Sequence, residues 1–225
     1  MGLRERKKQR TRERIADSAR RLFEEHGFEG VTVAEIAREA EVAEKTVFNY
    51  FPAKEDLFYH RMESFEDELL TAIRERPPGD TVLEGFRRFV VQPRGVFAQH
   101  GAREVRQARE RLRRITRTIA DSPALQARER QVFERYTDSL AALIAEETGA
   151  DPGGVEPWVV ANALLGLHRA LIDFVRRRVL AGHDEPDRLA RDLRTEAERA
   201  LALLESGLGR YAPASPAVRE ERTRK

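Results

Sequence analysis

Cysteine is absent from the 225-residue sequence, which excludes a disulfide framework, a zinc ribbon and a thiol nucleophile. Glycine (14) and proline (10) are too scarce for a loop-rich or fibrous chain. Long apolar runs are missing too. The longest, from Trp158 to Val175, is interrupted by Asn162, His168, Arg169 and Asp173, so no stretch approaches the roughly 18 apolar residues of a membrane span. The opening MGLRERKKQRTRER has no apolar segment of the secretory type, and a cytoplasmic protein without a membrane partner is expected. Strand-like alternation does not occur. Nor does a nucleophile elbow, a phosphate loop or a metal-ligand spacing among His26, His60, His100, His168 and His183. No catalytic residue, cofactor or metal is therefore expected, and the chain is not read as an enzyme.

Charge is abundant but balanced: 41 Lys+Arg against 39 Asp+Glu leave +2, with 40% hydrophobic residues. That balance, with periodic apolar positions, describes a folding chain and not a disordered one, and its length permits a sizeable core. The charge is unevenly placed. Within residues 1–14, seven basic residues face two acidic ones, a local +5, read as a basic arm suited to a polyanion.

The apolar spacing predicts an all-α protein of some nine helices. Ile15, Ala19, Leu22 and Phe23 mark one face of a helix beginning near Thr11, and Gly27 ends it. Thr32 and Glu35 form a capping box before a short second helix. A tight turn at 41–43 precedes a third, about Glu44 to Tyr50, which Pro52 follows. Two short helices across a tight turn make a helix-turn-helix. Further helices are expected at about 54–73, 81–99, 103–120, 123–148, 155–181 and 186–208. The organisation expected is a DNA-binding unit over 1–53, a helical body over 54–211 and a disordered tail over 212–225.

In a helix-turn-helix the second helix enters the major groove with its N-terminal residues against base edges. Lys45 suits guanine or phosphate, Asn49 suits adenine, and Thr46 suits thymine or phosphate. Tyr50 and Lys54 are placed to hold the DNA backbone, as are Thr32 at a helix start and Arg10 in the basic arm. Residues 11–58 resemble the DNA-binding domain of the TetR family of bacterial transcription regulators. The likeness rests on Thr11, Ile15, Ala19, Leu22-Phe23, Gly27, Thr32, Ile36-Ala37, Ala40, Val42, Thr46, Tyr50-Phe51, Lys54 and Leu57. Three departures stand out. Glu41 replaces the usual turn glycine, Ala43 replaces the usual serine cap, and Phe48 stands where tyrosine is frequent.

The resemblance implies a homodimer that binds a pseudo-palindromic double-stranded DNA operator and a small-molecule effector, apolar or acyl-CoA-like. A repressor is expected; the alternatives are an activator of the same fold or an interaction protein with a vestigial helix-turn-helix. The last two helices, with Leu164, Leu167, Leu171, Phe174, Leu189, Leu193, Ala197, Leu201 and Leu204, are expected to pair across the two-fold axis. Phe89, Phe97, Phe133, Tyr136, Trp158, Asn162 and His168 are candidate effector-pocket residues. The helix at 103–120 is strongly basic, read mainly as a solvated face and alternatively as an anion site.

Overall fold

The computed structural model describes residues 2–60, 63–92, 101–151 and 153–206. Phe97 and the expected tail at 212–225 lie outside the described residues. Within them there are ten helices and no strand: α1 (Leu3–His26), α2 (Val33–Glu39), α3 (Glu44–Tyr50), α4 (Lys54–Tyr59), α5 (Glu63–Arg74), α6 (Val82–Val91), α7 (Ala102–Asp121), α8 (Pro123–Thr148), α9 (Val155–Leu180) and α10 (Pro186–Glu205). The all-α expectation holds.

Three boundaries differ from expectation, one of them the helix expected over 81–99, which ends at Val91 where Gln92 turns extended. Helix α1 begins at Leu3 rather than near Thr11, because the arm is built of Arg, Lys, Gln and Glu, all good helix formers. Gln9 donates to Glu13 at 2.9 Å, a pairing at helical spacing that supports the added turns. The single helix expected over 54–73 is two. Leu57 and Tyr59 of α4 pack in one core, whereas Leu69 and Ile73 of α5 pack in another, so one straight stripe cannot serve both.

Those two cores organise the molecule. The N-terminal headpiece buries Ile15, Ala19, Phe28, Ile36, Val47 and Phe51 together with Ile119 and Leu125 from the far end of α7 and the start of α8. The body buries Leu69, Phe86, Leu140, Leu164, Leu171 and Leu201 among α5, α6, α8, α9 and α10. Polar bonds lock the headpiece to the α7–α8 corner. Tyr59 donates to Leu125 O at 3.0 Å, Arg128 to Asp56 at 2.7 Å, and Ser122 to Glu29 at 2.6 Å. Burial pushes the Tyr59 phenol well above its ordinary value, helped by the Glu129 carboxylate, so it stays a neutral donor.

The leucines expected at the two-fold axis serve the protomer itself. Leu164, Leu167, Leu171, Leu189 and Leu201 are all buried within one chain. What α9 leaves outside is another strip: Val155 is 77% exposed, Val159 59% and Trp158 41%, with Asn162, Ala163, Gly166 and Ala170 exposed along the same helix. Helix α9 is also long and apolar enough, by length and composition, to cross a membrane. No such stretch was expected from the sequence, because its polar residues are scattered and not clustered. It packs here between α8 and α10.

Candidate nucleic-acid interface

The turn from α2 to α3 shapes the interface. Val42 N donates to Ala37 O at 2.9 Å and Glu41 N to Arg38 O at 3.1 Å. These two bonds close a Schellman motif, which requires a left-handed residue between them. That residue is Glu41, at φ +52°, the one positive-φ residue other than glycine among those described. The comparable end of α8 uses Gly149 at φ +69°. The turn thus keeps the left-handed backbone that a glycine would adopt freely, and Glu41 bears the strain of it. Ala43 then caps α3 without a side-chain bond, as its identity requires.

Helix α3 is anchored by Val47, 1% exposed, and by Phe51 just beyond it, also 1% exposed. Burying that face turns Lys45, Phe48 and Asn49 outward, at i, i+3 and i+4, all exposed. Thr46 and Tyr50 are half-buried, and Tyr50 packs on the headpiece core. Phe48, where tyrosine is frequent in the family, lacks a phenol to offer a phosphate. At 45% exposure it is a large apolar surface beside Lys45 and Asn49, of the kind that meets a thymine methyl. The pattern of one buried residue every four could have revealed its outward direction.

The expected backbone contacts divide. Arg10 is exposed on the first turns of α1. Thr32 caps α2, and its amide and hydroxyl both donate to Glu35 Oε2, at 2.7 and 2.8 Å. Those hydrogen bonds hold the Glu35 carboxyl below its ordinary value, so an anion already sits on this helix start. Lys54 donates to Phe28 O at 2.8 Å and Val31 O at 3.0 Å, and its Nζ lies 4.2 Å from the Phe28 ring centre. Two of its three protons therefore tie down the loop entering α2.

The effector candidates also divide. Phe133, Tyr136 and His168 join Phe65 and Phe89 in a ring cluster: Phe65 stacks on His168 at 4.4 Å, and Tyr136 lies 5.9 Å from Phe133. Trp158 and Asn162 are not with them. Both lie on the exposed strip of α9, where Asn162 Nδ2 donates to Trp158 O at 2.8 Å. The spacing could not separate the faces, because α9 is apolar on most of its circumference. Two arginines of basic α7 are committed within the fold. Arg109 and Arg113 both donate to Asp184, at 2.7 and 2.8 Å, in the α9–α10 turn. The Asp184 side chain is fully buried, and these bonds, Arg109 first, hold its carboxyl well below the usual carboxylate range.

Residues 15–60 match the family of bacterial regulatory proteins, tetR family, and residues 81–209 match the MftR C-terminal domain. The second match alone spans more than half of the chain. This chain belongs to the TetR family of transcriptional regulators. Relatives agree with that. The HTH-type transcriptional regulator TcmR of Streptomyces glaucescens is 30% identical over 67% of this chain and 66% of its own. The aligned segment thus spans just under two thirds of that relative. The mycofactocin biosynthesis transcriptional regulator MftR of Mycobacterium tuberculosis is 28% identical over 72% and 78%. The nucleoid occlusion factor SlmA of Photobacterium profundum is 27% identical over 71% and 81%. The TetR assignment makes this protein a DNA-binding regulator of transcription.

Proposed function

We propose that this TetR-family regulator is a cytoplasmic homodimeric repressor that leaves a pseudo-palindromic operator when a small-molecule effector binds. The observation that carries the reading is the outward face of α3, where Lys45, Phe48 and Asn49 stand together on a helix fixed by Val47 and Phe51. Asn49 reads adenine, Phe48 meets thymine methyls, and Lys45 takes guanine or phosphate. Arg10 supplies a sequence-independent contact from α1. The exposed apolar strip of α9 supports self-association, because Val155, Val159 and Trp158 would otherwise face water. A two-fold dimer presents two copies of α3 to two half-sites one or more helical turns apart.

The test is a salt-dependent binding titration with the DNA upstream of the coding region against random duplex. Protection of one two-fold-symmetric site is expected. Asn49→Ala should change which bases are preferred, whereas Lys45→Ala should lower the salt slope by about 1 if Lys45 lies on phosphate. Equal loss on every sequence for Asn49→Ala would remove it from base reading.

A further inference from the structure

The outer strip of α9 carries a pattern of charge as well as of apolar surface. Glu156 lies in the first turn of the helix and Arg177 in the last. Both are exposed, and neither makes an ion pair among the described residues. Gly166 stands almost midway, ten residues after Glu156 and eleven before Arg177. Ala163 and Ala170, also exposed, stand three before it and four after it. At about 100° of rotation per residue, all five positions fall within an arc of about 80°.

Turned end for end about Gly166, this face complements itself. Glu156 then opposes Arg177 at both ends, and Ala163 opposes Ala170 on both sides of the centre. The exposed apolar end with Val155, Trp158 and Val159 comes over the end where Leu180 is exposed. Other arrangements set like charges together. A parallel pair opposes Glu156 to Glu156 and Arg177 to Arg177. An antiparallel pair slipped by about one turn opposes Glu156 to Asp173 in one direction, and Arg169 to Arg169 in the other. Like charges set against one another suppress such alternatives. The centre also permits a close approach, because nothing lies within 4 Å of where a Cβ on Gly166 would stand. Helices crossing at about 20° diverge by only about 5 Å some ten residues from the crossing, within the reach of a glutamate and an arginine.

We propose that α9 pairs antiparallel with α9 of a second copy, crossing at Gly166, with Glu156 ion-paired to Arg177 of the partner subunit. Two-fold symmetry makes this pair twice, so one sequence position on each side fixes the register. The macrodipoles add to it, since each N-terminal turn lies beside a C-terminal turn. The inference rests on the proposed homodimer and supplies its orientation, its register and the charges that choose it.

Two measurements on the full-length protein test it. The first is sedimentation equilibrium at low ionic strength, where exposed pairs are least screened. Glu156→Arg and Arg177→Glu should each weaken the dimer about tenfold, two attractions having become two repulsions. The double exchange Glu156→Arg with Arg177→Glu should restore it. The second uses the lack of cysteine in this chain. Ala163→Cys combined with Ala170→Cys should yield a disulfide-linked dimer on mild oxidation. Either substitution alone should not, because its two copies would stand about 10 Å apart along the pair, beyond the roughly 7 Å that a disulfide spans. A parent dimer that ignores both single charge changes, or a double exchange as weak as its components, overturns the ion pair. Cross-linking through Ala163→Cys alone, or none from the double cysteine variant, overturns the register while the dimer stands. A parent protein that sediments as a monomer overturns the register together with the homodimer on which it rests.

Discussion

Glu41 holds a conformation that an L side chain resists. The left-handed backbone costs roughly 1–2 kcal/mol for a residue bearing Cβ, and the two Schellman bonds at 2.9 and 3.1 Å compel it. Its exposed side chain makes no hydrogen bond or ion pair among the described residues that would be lost with it. Glu41→Gly should therefore stabilise the protein by about 0.5–1 kcal/mol, the strain relieved less the extra freedom of glycine in the unfolded chain. Urea unfolding of the two proteins measures it, and a less stable glycine variant would contradict the account. The neighbouring Ala43 removes a side-chain cap from the same helix. Two small weaknesses thus flank the start of α3, the helix proposed to enter the groove. Lys54 works the other way. Its ammonium joins two carbonyls and a ring face, so it steadies the approach to α2 from the inside.

Among the helices, α7 shows most clearly why some features were readable and others were not. The headpiece could be traced from the sequence because its determinants are local: the Thr32–Glu35 box spans four residues, and Ile15, Ala19 and Phe23 repeat at helical spacing. The basic run of α7 was equally visible, but its use was not. Arg109 and Arg113 meet Asp184 across 75 and 71 positions of chain, a pairing that no local spacing announces. The division of α4 from α5 was hidden for the same reason, since each half answers to a different core. Asp184 gives a test at this scale. Its folded carboxyl titrates below the ordinary 3.8, so its contribution is complete above that value and fades as pH falls below it. Asp184→Asn should lower stability by about 2 kcal/mol near pH 7, the usual worth of hydrogen bonds to a charged group. The gap from the parent should narrow in acid below 3.8. Unfolding curves at both pH values decide this, and a gap that widens in acid would reverse the assignment.

For the molecule as a whole, α9 divides its surface between two duties. Leu164, Leu167 and Leu171 close the protomer's core, while Val155, Trp158 and Val159 are left outside. The sequence could not apportion these faces, because an apolar stripe broader than one helix side has no unique inward direction. Gly166 lies on the outer strip with open space where a Cβ would stand, which would let a second helix approach closely. Val159→Glu should give a folded monomer by sedimentation, with helix content retained and tight binding to a two-half-site operator lost. A dimer that survives this change would move the contact off α9.

The helical extension of α1 has one more consequence. Residues 1–14 carry +5 in a chain whose total is +2, so everything after them sums to −3. A molecule charged in this way has a pole. In the field of a duplex its basic end is drawn forward and its body is pushed back, and the torque acts before any contact forms. Because the pole is carried on a helix continuous with the headpiece core, turning it turns α2 and α3 as well. The protein would reach DNA already facing it, and added salt would slow that arrival more than it hastens departure.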